Sequence, residues 1–236
     1  MGPAISMNNL SLAIGGNQIL APLSAELEAG QLHLLIGPNG AGKTSLLKSM
    51  LGLTPYKGEV LRHWPEEQTL PVYIPQQPRF DQVLPVTIED FLLAGISNKP
   101  VFLRRKRDEL QQIESLLEQV GLQGKAQLQL GQLSGGERQR LMFVQALSRP
   151  ASLWFLDEPM TGLDMDGQQL ITDLILSLRQ SGKTLVMVHH DMSFVAEHAD
   201  NVLIIDGGLQ SQGAPEQLNL NQAIQGQGAA SLGEVA

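Results

Sequence analysis

A glycine-rich loop between an apolar run and a helical segment constrains the fold of this chain most tightly. The run Leu32–Ile36 leads into a loop, Gly37 to Thr44, that fits the pattern Gly-x4-Gly-Lys-Thr, and the residues from Lys43 to Leu53 have the composition of a helix. In the order strand, loop, helix, successive backbone N–H groups and the helix N-terminus together bind phosphate. The segment therefore predicts a nucleoside triphosphate site.

Each part of this loop has an expected role. Lys43 is expected to reach the β- and γ-phosphates, Thr44 to give its hydroxyl to Mg²⁺, and Ser45 to donate to a nearer phosphate. The rest of the loop supplies its backbone, in which glycine permits close approach and positive φ. These residues are Gly37, Pro38, Asn39, Gly40, Ala41 and Gly42. The alternative, a glycine-rich turn with a chance lysine, is disfavoured by the flanking strand and helix.

Two adjacent carboxylates form the second chemical motif. The apolar run Leu153–Leu156 is followed directly by Asp157 and Glu158. Neighbouring residues at the end of a strand point to different sides, so the two acids can have different roles. We expect Asp157 to hold Mg²⁺ through water and Glu158 to polarise the water that attacks the γ-phosphate. Alone, the pair is typical of a solvated loop, but together with the phosphate loop it indicates ATP hydrolysis.

Strands that alternate with helices predict an α/β fold with a doubly wound sheet. The start of the chain differs, because Leu10 to Ile14 and Ile19 to Leu27 read as an antiparallel pair. Asn201 to Gln212 is expected to form a hairpin around Gly207-Gly208. The remaining elements predicted from apolar runs are strands at Leu32–Ile36, Val72–Ile74, Leu153–Leu156 and Thr184–Val188 and a helix at Gly167–Gln180.

A helical subdomain is predicted over about residues 87–149. Thr87 can cap its first helix with Asp90 three residues later, and a second helix places Leu110, Ile113, Leu117 and Val120 on one face. We expect residues 1–6 to be a leader or upstream extension before a first strand at Met7, 7–218 to be the ATPase domain, and 219–236 to be a disordered tail rich in Gly, Gln and Ala.

Composition excludes several classes of function. Acidic residues outnumber basic ones by 24 to 16, and apart from Arg104 to Arg107, which reads as a solvated helix start, no basic run points to nucleic acid. The chain has no cysteine, which excludes disulfides and thiolate metal sites. No apolar stretch reaches the roughly 18 to 20 residues of a membrane span. A role at a membrane would therefore come through a partner.

The segment Leu133 to Arg140, Leu-Ser-Gly-Gly-Glu-Arg-Gln-Arg, separates this chain from other ATPases with a phosphate loop, because it resembles the signature motif of ABC transporter ATPases. The resemblance covers about residues 7–218. It implies a phosphate-loop NTPase core with a mixed sheet, an antiparallel β subdomain and an inserted helical subdomain. It also implies a head-to-tail homodimer, in which Ser134, Gly135, Gly136 and Glu137 contact the ATP held by the other copy.

Three further residues match motifs of the same family. By resemblance, Gln76 is the glutamine that reaches Mg²⁺ and the attacking water and senses the membrane partner. Asp164, in Thr161 to Asp164, corresponds to the loop that links the two sites, and His190 to the switch histidine that contacts the γ-phosphate. Two positions depart from the family. His189 stands where a small polar residue is commoner, and Ile14 stands where an aromatic ring stacks on adenine, which predicts weak discrimination of the nucleobase.

Within the family, the chain resembles the ATPases of zinc and manganese importers. The softer signals are the linker from Gly58 to Tyr73, the stretch Phe80 to Thr87 and the segment Asp164 to Gln168. The resemblance implies ATP and Mg²⁺ as cofactors, permease subunits as partners, an indirect link to a substrate-binding protein, and a place at the cytoplasmic face of the inner membrane. The alternatives are an importer ATPase for another substrate, a soluble ABC ATPase without a transport role, and a binding module with a degraded site.

Overall fold

The computed structural model describes residues 1–77, 85–96 and 107–220, which divide into two compact units. The first unit contains Met1–Pro71, Ser152–Glu158 and the residues from Leu178 onward, and the second contains Val72–Ala151 and Pro159–Ser177. The strands are β1 (Ala4–Ile14), β2 (Asn17–Leu27), β3 (Leu32–Ile36), β4 (Lys57–His63), β5 (Val72–Ile74), β6 (Leu153–Asp157), β7 (Thr184–Val188), β8 (Asn201–Ile205) and β9 (Leu209–Gly213). The helices are α1 (Lys43–Leu51), α2 (Ile88–Ile96), α3 (Arg107–Gln119), α4 (Gly135–Leu147), α5 (Met165–Gln180) and α6 (Met192–His198).

A mixed sheet forms the core of the first unit. Its strands lie in the order β6-β7-β3-β8-β9, in which β6, β7, β3 and β8 pair in parallel and β9 is antiparallel to β8. Every residue of β3, β6 and β7 is buried. Such continuous apolar strands are expected where helices cover both faces of a sheet. The predicted α/β class, the strands and the closing hairpin are confirmed.

A second, antiparallel sheet of the first unit has the order β2-β1-β4. The predicted pairing of the first two strands is confirmed, but the first strand begins at Ala4 and not at Met7. Ile5 is fully buried, and the N–H of Gly2 donates to the carbonyl of Gly182 at 2.7 Å, so these early residues belong to the folded unit. Strand β4 begins one residue before the linker from Gly58 to Tyr73 and covers its first six residues, and the sequence did not predict it.

Three glycines fix the phosphate loop against its neighbours. Gly37 has φ of 140°, and a β-carbon there would lie 1.9 Å from the carbonyl oxygen of Ile205. Gly42 has φ of 96°, and a β-carbon there would lie 2.6 Å from Cδ2 of Leu20 in β2. The N–H of Gly207, in the β8–β9 turn, donates to the carbonyl of Ala41 at 3.1 Å. The loop is therefore held by β2 and by the closing hairpin.

Helix α1 ends at Leu51, two residues before the predicted end, because Gly52 adopts the left-handed conformation that ends helices.

The helices predicted in the second unit are present, and the predicted span 87–149 lies within this unit. The hydroxyl of Thr87 accepts the N–H of Asp90 at 3.1 Å and so caps α2 as expected. Ile113, Leu117 and Val120 are buried along one face of α3 and the residue that follows it. In the described part of the chain, no helix is both long and apolar enough to cross a membrane.

Some predictions lie outside the described residues. They concern most of the stretch Phe80 to Thr87, the basic residues Arg104 to Lys106 and nearly all of the predicted tail, from residue 221 onward.

Two glycine substitutions separate steric conflict from backbone strain. Gly37 and Gly40 both have positive φ, but a β-carbon on Gly40 meets no atom within 4 Å. We expect Gly40→Ala to cost about 1 kcal/mol of unfolding free energy from strain alone, and Gly37→Ala to cost about 4 kcal/mol or more because the Ile205 carbonyl must also move. Urea denaturation of the two variants without nucleotide measures the difference. Equal losses would contradict the close contact.

Candidate functional site

The carboxyl ends of three neighbouring strands bring together the predicted catalytic residues of the first unit, whereas the predicted Gln76 belongs to the second unit. The phosphate loop follows β3, Asp157 and Glu158 lie at the end of β6, and His190 follows β7. Hydrogen bonds continue past the strand ends, from the N–H of Glu158 to the carbonyl of Val188 at 3.1 Å. In parallel sheets, this edge is where ligands bind. Five residues at this edge, Lys43, Thr44, Asp157, Glu158 and His190, are called the catalytic cluster below.

Lys43 lies inside the phosphate loop. Its ammonium group donates to the carbonyls of Gly37 at 2.8 Å and Pro38 at 2.7 Å, and the side chain is buried. Burial lowers the pKa of Lys43 from its ordinary value, while the carboxylates of Glu158 and Asp157 act in the opposite direction. The lysine charge is thus held between the loop carbonyls and two acids.

Thr44 and Asp157 form the pair of oxygen donors expected for Mg²⁺. The Thr44 hydroxyl donates to Oδ1 of Asp157 at 2.8 Å, and Asp157 is buried. Mg²⁺ in proteins is bound by oxygen ligands, commonly one or two carboxylates together with phosphates. Since a hydroxyl and a carboxylate lie side by side at the phosphate loop, the residues present fit this ion.

Glu158 occupies a strained backbone position. Its φ is 46°, in the left-handed region that residues other than glycine seldom adopt. Such strain costs roughly 1–3 kcal/mol and is concentrated at functional sites. Oε2 of Glu158 lies 4.0 Å from Nδ1 of His190, whose side chain is 69% exposed. The turn after β6 therefore places the predicted base beside the predicted switch histidine.

His189 differs sharply from the exposed His190, although the two are adjacent. Its ring is buried and packs edge-on against Phe194, with 4.6 Å between the ring centroids. Nδ1 of His189 has no hydrogen-bond partner among the described residues. Burial, followed by the neighbouring charge of His190, lowers the pKa of His189 to about 4. At neutral pH this ring is therefore uncharged and adds no positive charge beside His190.

The signature residues begin α4 in the second unit. Ser134 is the N-cap: its hydroxyl accepts the N–H of Glu137 at 3.2 Å, and its own N–H donates to Oε2 of Glu137 at 2.8 Å. This reciprocal pair is a capping box. Gly135 is exposed, and a β-carbon there would meet no atom within 4 Å. The first turn of α4 thus presents an open, positively polarised helix end.

The other predicted residues of the second unit lie around α4 and α5. A β-carbon on Gly136 would lie 3.2 Å from Leu163, so the signature turn packs beside the segment that contains Asp164. Oδ1 of Asp164 accepts the N–H of Gly167 at 3.0 Å near the start of α5. Gln139, which is 2% exposed, donates to the carbonyl of Pro75 at 3.3 Å, directly before the predicted Gln76.

Two predicted contacts stay predictions. Ile14 lies at the end of β1 with 53% of its surface exposed, and Ser45 lies in the first turn of α1. A residue that sequence reasoning missed is Lys125, whose ammonium donates to Oε1 of Glu137. A single lysine in a polar turn carries no sequence signal of this contact.

The fold and the catalytic cluster define an ATPase domain of the phosphate-loop class. Residues 20–161 match the family model described as ABC transporter. The chain is 35% identical to the manganese transport system ATP-binding protein MntB of Halalkalibacterium halodurans, over 90% of this chain and 87% of that protein. It is 36% identical to the zinc transport system ATP-binding protein TroB of Treponema pallidum, over 89% of this chain and 81% of that one.

Solved structures agree on the fold. An ATP-binding subunit of an ABC transporter superposes with a TM-score of 0.76 at 21% identity, covering 92% of each chain. An ATP-binding cassette of an ABC transporter in its ADP conformation gives 0.73 at 22% identity, over 92% of this chain and 93% of the other. The chain belongs to the ABC transporter family, with the ATPase domain fold of that family.

Titration of His189 should make stability depend on pH. Because its pKa falls from 6.5 to about 4 on folding, the unfolded chain binds more protons between these values. The stabilisation is therefore complete above about pH 6.5 and declines as the pH falls through 4, by on the order of 3 kcal/mol. We expect His189→Phe, which keeps a ring against Phe194, to remove this part of the slope in urea unfolding between pH 7 and 4. The exposed His63→Gln is the control, and identical slopes for His189→Phe and the wild type would contradict the assignment.

Proposed function

We propose that this chain is the ATP-hydrolysing subunit of an ABC importer for a divalent metal ion, manganese or zinc. The observation that carries the proposal is the catalytic cluster in a chain similar over most of its length to manganese and zinc transport system ATP-binding proteins. The cluster supports hydrolysis, and the relatives support the cargo.

In phosphoryl transfer to water, the protein forms no covalent bond that the reaction requires; it mainly neutralises charge on the phosphates and positions the attacking water. Lys43 supplies a fixed positive charge at the phosphate loop, where Glu158 and Asp157 favour its charged form. Glu158 is the general base that polarises the attacking water, and His190, 4.0 Å from it, contacts the γ-phosphate. Thr44, Gln76 and, through water, Asp157 would hold Mg²⁺, which would supply positive charge against the phosphates.

The working unit in this proposal is a head-to-tail homodimer. ATP on the phosphate loop of one copy is completed by the first turn of α4 from the other, with Asp164 linking the two sites. The capping box supports this role, because the Ser134 hydroxyl accepts the Glu137 N–H and keeps its own proton for a phosphate oxygen. Closure on ATP and reopening after hydrolysis would drive the permease.

The partners in the proposal are permease subunits, and indirectly a substrate-binding protein, at the cytoplasmic face of the inner membrane. The helical part of the second unit and the loop after Gln76 form the proposed docking surface. Support comes from the hydrogen bond between Gln139 of α4 and the carbonyl of Pro75, which links the signature helix to the start of that loop.

At the nucleobase, the exposed Ile14 offers an aliphatic contact, and weak discrimination between nucleoside triphosphates stays a prediction.

Removing the proposed base should separate ATP binding from hydrolysis. We expect Glu158→Gln to retain ATP binding, to accumulate as a closed dimer and to lose ATPase activity by about 100-fold or more, since general base catalysis contributes about that much. Phosphate release and light scattering with ATP measure the two effects. Glu67→Gln, an exposed carboxylate of the same unit, is the matched control and should behave as the wild type. Turnover of Glu158→Gln close to that of the wild type would reject the assignment.

Deletion of the chain should identify the cargo. We expect loss of uptake of manganese or zinc under limitation of that metal, restored by the wild-type chain and not by Glu158→Gln. Accumulation of radioactive manganese, zinc and iron provides the measurement. Unchanged uptake of all three would contradict a metal importer, and absence of the chain from membrane fractions would favour the soluble alternative.

A further inference from the structure

Glu137 places a negative charge where an anionic ligand is expected. It is the third residue of α4, about 3 Å along the axis from the first residue of the helix at a rise of 1.5 Å per residue. A helix N-terminus favours one nearby anion. A carboxylate and an ATP phosphate at the same first turn would repel each other, and both would compete for the partial positive charge of the helix N-terminus.

Lys125 removes this conflict in the structure. Its ammonium donates to Oε1 of Glu137, while Oε2 accepts the N–H of Ser134 at 2.8 Å. Both carboxylate oxygens are therefore engaged, and the side chain of Glu137 is only 16% exposed. The lysine bond, then the Ser134 N–H, lowers the pKa of Glu137 to about 2, so the carboxylate is ionised across the physiological range and its charge must be balanced.

The backbone of Lys125 is fixed from both sides. The carbonyl of Lys125 accepts the N–H of Leu128 at 2.9 Å, and the carbonyl of the next residue, Ala126, accepts the N–H of Glu89 in α2 at 2.9 Å. On the other side, Arg140 of α4 donates to the carbonyl of Val120, which ties the end of α3 to the signature helix. Because this turn is anchored, placing the ammonium against Glu137 requires less ordering than in a typical surface ion pair.

We propose that Lys125 is a positioning residue, which compensates the charge of Glu137 so that the first turn of α4 can receive the phosphate of an ATP held by a second copy of the chain. Lys125 acts through Glu137 and need not touch the nucleotide. The same contact holds the Glu137 carboxylate in the capping box, where it fixes Ser134 with its hydroxyl proton available. This inference rests on the proposed head-to-tail dimer.

The test measures ATP-driven dimer formation, by light scattering against ATP concentration, in full-length protein carrying Glu158→Gln to suppress hydrolysis. Into this background we would introduce Lys125→Met, Glu137→Gln, both together, and Lys125→Arg. Glutamine at the third helical position still completes a capping box, so Glu137→Gln removes the charge and keeps the cap. Two controls accompany the test. The thermal melting temperature of each monomer shows whether the variant folds normally, and ATP binding at protein concentrations too low for dimers shows whether its phosphate loop is intact.

We expect Lys125→Met to raise the ATP concentration for half-maximal dimerisation about 10-fold, and the added Glu137→Gln to restore most of that loss. Lys125→Arg should remain within about 2-fold of the background. The deficit of Lys125→Met should shrink as salt is added, because mobile ions screen the repulsion between an uncompensated carboxylate at the protein surface and the phosphate over about 10 Å or less.

Each other outcome contradicts a particular step. If the Glu158→Gln protein dimerises with ATP and Lys125→Met dimerises equally well, charge compensation is wrong and the proposed function stands. If Lys125→Met is impaired but Glu137→Gln does not restore it, Lys125 acts through folding and the inference is also wrong. If the Glu158→Gln protein does not dimerise with ATP at all, the proposed dimer fails and the inference fails with it.

Discussion

The register between β6, β7 and β3 determines where this chain can carry out chemistry. Val188, the last residue of β7, is paired with Asp157 on one side and with Leu35 on the other, so the three strands end at the same level. A shift of one residue in β6 would turn the Asp157 side chain to the opposite face of the sheet. The three strands are predominantly apolar and each buries all of its residues, so a shifted register would have to repack both faces of the sheet.

Unfavourable backbone conformations occur at two of these strand ends. Gly37, after β3, uses φ of 140° to pass close to the Ile205 carbonyl, and Glu158, after β6, adopts φ of 46° although it carries a side chain. At Gly37 the absence of a side chain removes the strain of positive φ. At Glu158 the carboxylate is present and the backbone is strained, which is the pattern expected where a side chain is needed for chemistry.

The sequence predicts the core of this fold well and its edges poorly. The buried strands and the phosphate loop have strong local patterns, so their order and the catalytic residues at their ends could be inferred. Strand β4 was missed because none of its residues is buried, and it therefore lacks the alternating apolar pattern. Helix α6 was not predicted either, because its seven residues are too few to show a helical repeat of apolar residues. The partnership of Lys125 with Glu137 joins a turn to a helix twelve residues away and has no local pattern at all.

The contacts of Lys43 and Thr44 also constrain how ATP can enter. Lys43 donates to two carbonyls of its own loop, and Thr44 donates to Asp157, so both side chains already have hydrogen-bond partners. When phosphate binds, each of these side chains must therefore give up a hydrogen bond within the protein in order to form a new one. The exchange is favourable for Lys43, because a bond from an ammonium to an anionic phosphate is stronger than one to a neutral carbonyl. For Thr44 it is more favourable when a cation binds the carboxylate of Asp157, since that buried carboxylate otherwise loses the bond from the Thr44 hydroxyl. A cation beside Asp157 would therefore assist ATP binding at this loop by replacing the bond that Thr44 gives up.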